Sequence, residues 1–213
     1  MVKNKAGDAV KVKVCGITNL EDALHSVHSG CDALGFVFYK KSPRYISPEQ
    51  ARSIIARLPG HVIKIGVFVD TPERTIKEIA GFCKLDILQL HGRESPQFCE
   101  KFRGYKVIKA FRVKDALDLK TILRYHTFAY LFDTFVKTRI GGTGKSFNWK
   151  LMRNLDGIGR PVFLSGGLRE KSVKQAIDAV HPDWVDVSTS VEISPGKKDR
   201  VKVTRFIKAA KKR

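Results

Sequence analysis

The sequence predicts an α/β fold in which eight parallel strands alternate with helices along a chain of 213 residues. Two observations support this prediction. Short apolar runs alternate with amphipathic stretches, which is typical of repeated strand–helix units. Most of the apolar runs are continuous rather than alternating with polar residues, as expected for strands of a parallel sheet that is covered on both faces.

Eight apolar runs, spaced fairly regularly along the chain, are the candidate strands. They comprise residues 12–15, 33–38, 62–68, 87–90, 107–111, 129–132, 161–164 and 184–187. Residues 134–147 lack a helix pattern and are predicted to form a long loop.

Helix signals lie between these runs. Thr18 and Glu21 have the spacing of a capping box. Ser47, Thr71 and Ser95 each precede a proline, which indicates a helix that begins with a capping side chain and a proline in its first turn. Helices are also predicted over residues 172–180 and near the end of the chain, where apolar residues recur on one helical face.

A single (βα)8 TIM barrel of minimal size accommodates this pattern best. The alternative is a doubly wound open sheet. Residues 11–213 are predicted to form the one catalytic domain and residues 1–10 a loose N-terminal extension. Residues 141–146 read GGTGKS, but the first glycine of a phosphate-binding P-loop is missing at its required spacing, so a nucleotide-binding loop is not expected there.

Composition indicates the compartment. No run of about eighteen apolar residues occurs and the N-terminus lacks an apolar signal segment, so we expect a cytoplasmic protein without a membrane partner. Cys15, Cys31, Cys83 and Cys99 lie far apart and form no metal-binding spacing, so they are expected to be thiols without a metal.

The chain carries 40 Lys and Arg against 21 Asp and Glu, a net charge of +19. This predicts an anionic partner. The basic residues at 197–213 share a helix with Val203, Phe206 and Ile207, whose apolar face must dock on the barrel, so the bases are interpreted as its solvated face. No nucleic-acid-binding motif accompanies them. We therefore expect a small anionic substrate and no specific nucleic acid.

Active sites of βα barrels lie at the C-terminal ends of the strands. This rule selects Cys15 after strand one, Arg44 beyond strand two, His91 after strand four, Asp133 after strand six and Asp186 in strand eight. Each also has a structural alternative: a buried core thiol, a surface arginine, a structural histidine, or an acid that orients a loop.

The loops after strands seven and eight are where barrels commonly bind phosphate through backbone N–H groups. The candidate phosphate-binding residues are Gly166, Gly167, Ser188, Thr189 and Ser190. The alternative is that the two glycines only form a tight turn.

An ordered set of segments from about residue 11 to the end resembles the phosphoribosylanthranilate isomerases of tryptophan biosynthesis. The segments are KVKVCGIT (11–18), GFVF (35–38), SPRYI (42–46), IGVFVD (65–70), LQLHG (88–92), FDT (132–134), GGTGKSFNW (141–149), LSGGL (164–168) and PGKKD (195–199). The resemblance implies one (βα)8 barrel that needs no metal or organic cofactor. It also implies an Amadori rearrangement of N-(5′-phosphoribosyl)anthranilate to 1-(2-carboxyphenylamino)-1-deoxyribulose 5-phosphate.

The resemblance also implies roles for single residues. Cys15 matches the family's general base and Asp133 its general acid. Arg44 matches the arginine on the anthranilate side, while His91 and Asp186 match further substrate-site positions. The chain departs from the family where many members have glycine and this chain has Ser190; if that position needs a positive φ, Ser190 is strained.

The sequence leaves two other classes of function open. Another phosphosugar barrel enzyme, such as the histidine-pathway isomerase or indole-glycerol-phosphate synthase, would place an Asp or a Lys where this chain has Cys15. A basic binding module on a barrel without catalysis is the other alternative. Neither the oligomeric state nor the activation of Cys15 can be predicted from the sequence.

Overall fold

The computed structural model describes residues 9–113, 118–133 and 155–212. Its eight parallel strands pair in sequence order, and β1 pairs with β8, so the sheet closes into a barrel. The predicted (βα)8 barrel is confirmed, and the open doubly wound sheet is wrong. The strands are β1 (Lys11–Cys15), β2 (Ala33–Val37), β3 (Ile63–Phe68), β4 (Ile87–Leu90), β5 (Lys106–Arg112), β6 (Ala129–Asp133), β7 (Val162–Ser165) and β8 (Trp184–Val187).

Helices cover the outside of the barrel. They are α1 (Leu20–His28), α2 (Pro48–Ile55), α3 (Glu73–Cys83), α4 (Pro96–Glu100), α5 (Leu119–Ile122), α6 (Glu170–Val180) and α7 (Arg200–Lys211). Short 3₁₀ turns at Leu155–Ile158 and Thr189–Val191 precede β7 and follow β8. After the second turn, β9 (Glu192–Ser194) and β10 (Lys197–Lys198) form a small antiparallel hairpin before α7.

Two of the predicted helix starts, at Ser47 and Ser95, are confirmed. The Ser47 side chain accepts a hydrogen bond from the backbone N–H of Gln50, and Ser95 caps α4 in the same way. Thr18 does not cap α1, because its hydroxyl donates to the carbonyl of Gly196; Asn19 is the cap instead. Thr71 does not cap α3 either, because its hydroxyl donates to the carbonyl of Val69.

Most of the buried apolar residues belong to two layers, because successive side chains of a strand point to opposite faces. The larger layer lies between the strands and the helices and includes Val12, Val14, Leu34 and Phe36. The smaller layer fills the lower part of the barrel interior. It comprises Ala33, Ile65, Ile87, Ile108, Ala110, Ala129, Leu131, Phe163 and Trp184.

Several sequence predictions fall on residues outside the described ranges. These are the long loop at 134–147, the GGTGKS segment at 141–146 and residues 1–8 of the expected N-terminal extension; Val10 of that extension is buried in the outer layer. Over the described part of the chain, no helix is long and apolar enough to cross a membrane.

Candidate active site

A cavity of about 970 Å³ opens at the C-terminal end of the barrel, where the strand-end rule places it. All ten residues predicted for the site line this cavity. They are Cys15, Arg44, His91, Asp133, Gly166, Gly167, Asp186, Ser188, Thr189 and Ser190. The closed sheet therefore brings together groups that are up to 175 residues apart in the chain.

Cys15 is the last residue of β1, and its thiol lies beside Gly35 of β2, with which it is paired in register. A Cβ atom on Gly35 would lie only 2.7 Å from the Cys15 Sγ and 3.1 Å from Cε of Lys13, so the missing side chain makes room for both groups. Burial raises the pKa of the Cys15 thiol, and the positive charges of Lys13 and Lys198 oppose this shift without reversing it.

Lys13 and Asp186 are register partners on the neighbouring strands β1 and β8, and their side chains form an ion pair inside the barrel. Lys13 is fully buried, and its Nζ lies 3.0 Å from Oδ1 of Asp186. Burial by itself lowers the pKa of Lys13, but the charges of Asp186 and Cys15 outweigh it and raise the pKa above its ordinary value. Oδ2 of Asp186 accepts a hydrogen bond from the hydroxyl of Ser165 at 3.3 Å. Asp186 thus lines the cavity with both carboxylate oxygens already in contact with protein groups.

His91 follows β4 and faces Asp133 at the end of β6. The distance from Nε2 of His91 to Oδ2 of Asp133 is 3.5 Å. The other ring nitrogen, Nδ1, lies 2.8 Å from Nε2 of Gln89, two residues earlier on the same side of β4. Both His91 and Asp133 are partly exposed to the cavity, with about a fifth of each side chain accessible.

Arg44 is held in the cavity wall by Glu192 of β9. Its Nε and Nη2 lie 2.8 Å and 2.6 Å from the two carboxylate oxygens, a bidentate pair. The buried Lys198 also binds Glu192, at 2.9 Å, and donates to the backbone carbonyl of Cys15 at 2.6 Å. One network therefore connects the predicted anthranilate-side arginine to the strand that carries the thiol.

The predicted phosphate end consists of the turns after β7 and β8. Gly166 and Gly167 have φ angles of 96° and 67°, which favour glycine, so this turn depends on both. A Cβ on Gly167 would have no neighbour within 4 Å, so its backbone faces open space. The Ser188 hydroxyl is buried with no hydrogen-bond partner among the described residues. An oxygen-rich anion would satisfy such a group.

Ser190 is not strained. The non-glycine residues with positive φ in the described ranges are Asp70, Lys84 and His181. Ser190 belongs instead to the 3₁₀ turn after β8, and its hydroxyl donates to the carbonyl of Leu168. The serine thus connects the two loops of the predicted phosphate end.

The sequence analysis did not predict four residues whose hydrogen bonds hold the predicted site residues: Lys13, Gln89, Glu192 and Lys198. Lys13 and Gln89 had a signal, because each is a polar residue in an apolar strand, two positions before a predicted site residue and therefore on the same face. Glu192 and Lys198 had no comparable signal, since only the hairpin brings them to Arg44 and Cys15. All four cysteines are free thiols, as predicted, and all four are buried, including Cys15. In the described part of the chain, no group of three or more His, Cys, Asp and Glu side chains could hold a metal ion.

Comparisons with known proteins agree with this geometry. Residues 12–209 match the family described as N-(5′-phosphoribosyl)anthranilate (PRA) isomerase. The chain is 48% identical to the isomerase of that name from Geobacter metallireducens over 95% of this chain and 99% of the relative. Its structure is similar to that of phosphoribosyl anthranilate isomerase from Thermotoga maritima, with a TM-score of 0.89, 49% identity, and 95% and 98% of the two chains covered.

A second solved structure is a phosphoribosyl anthranilate isomerase in complex with reduced 1-(o-carboxyphenylamino)-1-deoxyribulose 5-phosphate. It has a TM-score of 0.86 and 46% identity to this chain, with 95% and 98% of the two chains covered. The match to the family extends over nearly the whole barrel and includes every strand that contributes to the cavity. This chain is therefore a member of the N-(5′-phosphoribosyl)anthranilate isomerase family.

Proposed function

We propose that this cavity catalyses the Amadori rearrangement of N-(5′-phosphoribosyl)anthranilate to 1-(2-carboxyphenylamino)-1-deoxyribulose 5-phosphate, a step of tryptophan biosynthesis. The observation that carries the proposal is the placement of Cys15 and Asp133 in one cavity, on two strands that are not neighbours in the barrel. A thiol and a carboxyl on separate strands can act on the same sugar from different sides. This is the arrangement that an acid–base isomerisation requires.

The reaction has two proton transfers. An acid protonates the ring oxygen as the C1–O bond breaks, which opens the furanose and leaves an iminium ion. A base then removes the proton from C2, which gives an enolamine that tautomerises to the aminoketose. We assign the acid to Asp133 and the base to Cys15. One proton enters the substrate at the ring oxygen and one leaves C2, and the tautomerisation moves the enol proton to C1, so no oxidant or reductant is consumed. Proton exchange with water then restores the acid Asp133 and the thiolate Cys15.

Cys15 must be a thiolate to act as the base, and a free thiol is ionised to only a few per cent near pH 7. Lys13 and Lys198 supply the positive charge that favours the thiolate. Cys15 lines the cavity and 8% of the residue is exposed, so a bound sugar can lie against it.

The remaining residues bind the two charged ends of the substrate. We assign Arg44 to the anthranilate carboxylate, with Glu192 holding its Nε–Nη2 edge so that Nη1 is the nitrogen left for the substrate. The phosphate is assigned to the loops after β7 and β8, with Gly166, Gly167 and the unpartnered hydroxyl of Ser188.

The contacts of the remaining predicted site residues indicate what each contributes. Thr189 and Ser190 contribute to the phosphate loop through the backbone of its turn, because the hydroxyl of Thr189 accepts from Arg44 and that of Ser190 donates to Leu168. His91 and Asp186 line the wall beside the sugar, and we assign them to its orientation.

A fluorescence assay tests the proposal, because the anthranilate amine of the substrate is fluorescent and the product emits far less. We expect the wild type to quench the signal of phosphoribosylanthranilate. Cys15→Ala and Asp133→Asn should each lower kcat by about two to four orders of magnitude, the usual contribution of a general acid or base, with KM little changed.

Matched variants separate chemistry from folding. Cys31→Ala removes a buried thiol from the outer layer, and Asp86→Asn removes a carboxylate at the opposite end of β4; both should keep kcat near the wild-type value. Wild-type protein that leaves the fluorescence unchanged would remove the isomerase proposal. Near wild-type turnover by Cys15→Ala or Asp133→Asn would remove only the role assigned to that residue.

A further inference from the structure

A chain of polar contacts leads from the interior of the barrel to the carboxylate of Asp133. Nζ of Lys13 lies 2.9 Å from Oε1 of Gln89. Nε2 of Gln89 lies 2.8 Å from Nδ1 of His91, and Nε2 of His91 lies 3.5 Å from Oδ2 of Asp133. Lys13 and Gln89 are 0% and 1% exposed, so bulk water does not compete for these contacts.

The direction of donation along this chain starts at the lysine. An ammonium group has donors only, and the ion pair with Asp186 keeps Lys13 charged. Gln89 must therefore present its carbonyl oxygen to Lys13. Its amide nitrogen, which can only donate, then faces His91, and Nδ1 of His91 has to accept.

A neutral imidazole with an accepting Nδ1 carries its proton on Nε2. We propose that Gln89, oriented by Lys13, is a positioning residue that holds His91 in the Nε2–H tautomer and so directs an N–H donor at Oδ2 of Asp133. The inference deepens the proposed function, because it rests on Asp133 being the acid of that reaction.

The tautomer determines where the acidic proton sits. An N–H group that faces Oδ2 of Asp133 at 3.5 Å disfavours a proton on this oxygen, so it favours protonation of the carboxyl at Oδ1. The tautomer thereby influences which oxygen of the acid protonates the ring oxygen. With the proton of His91 on Nδ1, the lone pair of Nε2 would instead attract the acidic proton to Oδ2 and draw it away from the sugar.

Long-range 1H–15N correlation spectra of protein labelled at histidine nitrogen distinguish the two tautomers. The spectra are recorded at pH 8, above the ordinary histidine pKa of about 6.5, and His91→Asn identifies the signal. We expect the proton on Nε2 in the wild type. In Gln89→Glu the new carboxylate accepts from both Lys13 and His91, so a proton should appear on Nδ1. Gln97→Glu makes the same charge change on exposed α4 and should leave the spectrum of His91 unchanged.

Turnover gives the second measurement. We expect Gln89→Glu to lower kcat at least about tenfold, a part of the contribution of the general acid, with KM changed less than about threefold. A proton on Nδ1 in the wild type would overturn the inference, and this test needs no variant to fold. A Gln89→Glu protein with no proton on Nδ1, or with kcat unchanged, would also overturn it. Activity retained by Asp133→Asn would instead reject the acid role and leave the tautomer result intact.

Discussion

At the scale of single residues, the site depends on opposing effects at Cys15. The thiol is buried, which disfavours the thiolate, yet the base must be a thiolate to remove a proton. Lys13 lies beside the thiol across the space left by Gly35 and lowers its pKa, but not below the ordinary thiol value. The free enzyme therefore holds most of Cys15 protonated at neutral pH.

This balance predicts a pH dependence. Since the pKa of Cys15 is raised, the rate at which an alkylating reagent modifies this thiol should still increase with pH above about 8.5, the ordinary thiol pKa. Lys13→Met removes a positive charge beside the thiol, so the pKa of Cys15 should rise further and the increase should move to higher pH. The rate of alkylation of Cys15 as a function of pH, followed by peptide mass spectrometry, measures this shift directly.

Lys109→Met is the matched control for that experiment. Lys109 is also a buried lysine paired with a carboxylate, Glu94, but it lies on β5 and contacts no residue of the cavity wall near the thiol. Its variant should leave the alkylation profile of Cys15 unchanged. If Lys13→Met and Lys109→Met gave the same profile, the charge of Lys13 would have no part in ionising the thiol.

At the scale of elements, the hairpin of β9 and β10 binds the end of β1 that carries Cys15. Glu192 and Lys198, one from each strand, bind each other, Arg44 and the backbone of Cys15. Burial raises the pKa of Glu192, but its hydrogen bonds to Arg44 and Lys198 outweigh this and lower the pKa below its ordinary value. The hairpin thus stabilises the folded state through an ion-pair network that is largely shielded from solvent.

Removing the shared carboxylate should therefore be costly. Glu192→Ala leaves the buried Lys198 charge without its partner, and we expect a loss of about 3–5 kcal/mol in the free energy of unfolding at pH 7. Glu78→Ala, which breaks a solvent-exposed pair with Arg74, should cost far less, because water screens both charges. Urea denaturation of the three proteins measures both values, and equal losses in the two variants would contradict the buried network.

The same network predicts an acid effect with a definite sign. Because the folded-state pKa of Glu192 lies below its unfolded value, its stabilisation is complete above the unfolded pKa, ordinarily about 4.3, and is lost as the pH falls through the folded one. Denaturation curves between pH 3 and 6 should show a smaller acid-induced loss of stability in Glu192→Ala than in the wild type.

At the scale of the whole molecule, the net charge of +19 acts on a substrate that carries a phosphate and a carboxylate. Lys171 and Lys202 lie at the rim of the cavity, where their charge adds to the attraction. A positive field around a cleft raises the rate at which anions arrive and weakens as salt shortens its range from about 30 Å at 0.01 M to about 8 Å at 0.15 M.

We therefore expect kcat/KM to fall several-fold as sodium chloride is raised from about 0.01 M to 0.15 M, while kcat changes little. Lys171→Gln should weaken this salt dependence more than Lys208→Gln, which removes a charge near the end of α7, because Lys208 does not line the cavity. A kcat/KM that is independent of salt in the wild type would show that the charge does not steer the substrate.

Much of the fold is local in origin and could be predicted. The eight apolar runs lie within one or two residues of the observed strands, because a strand buried on both faces needs a continuous apolar sequence. The predicted caps Ser47 and Ser95 are confirmed, because each accepts a hydrogen bond from a backbone N–H only three residues away. The predicted caps Thr18 and Thr71 are wrong, because each hydroxyl donates to a backbone carbonyl instead. The partner of Thr18 lies 178 residues away in the chain.

The sequence alone predicted the barrel, its strand ends and ten of the residues that line its mouth, because hydrophobic periodicity and strand direction are encoded within a few residues of each position. Only the tertiary structure decided how those residues are paired. The contacts of Lys13 with Gln89 and of Glu192 with Arg44 join strands and a hairpin that are 76 and 148 residues apart. Such contacts arise when the sheet closes, and closure is a property of all eight strands together.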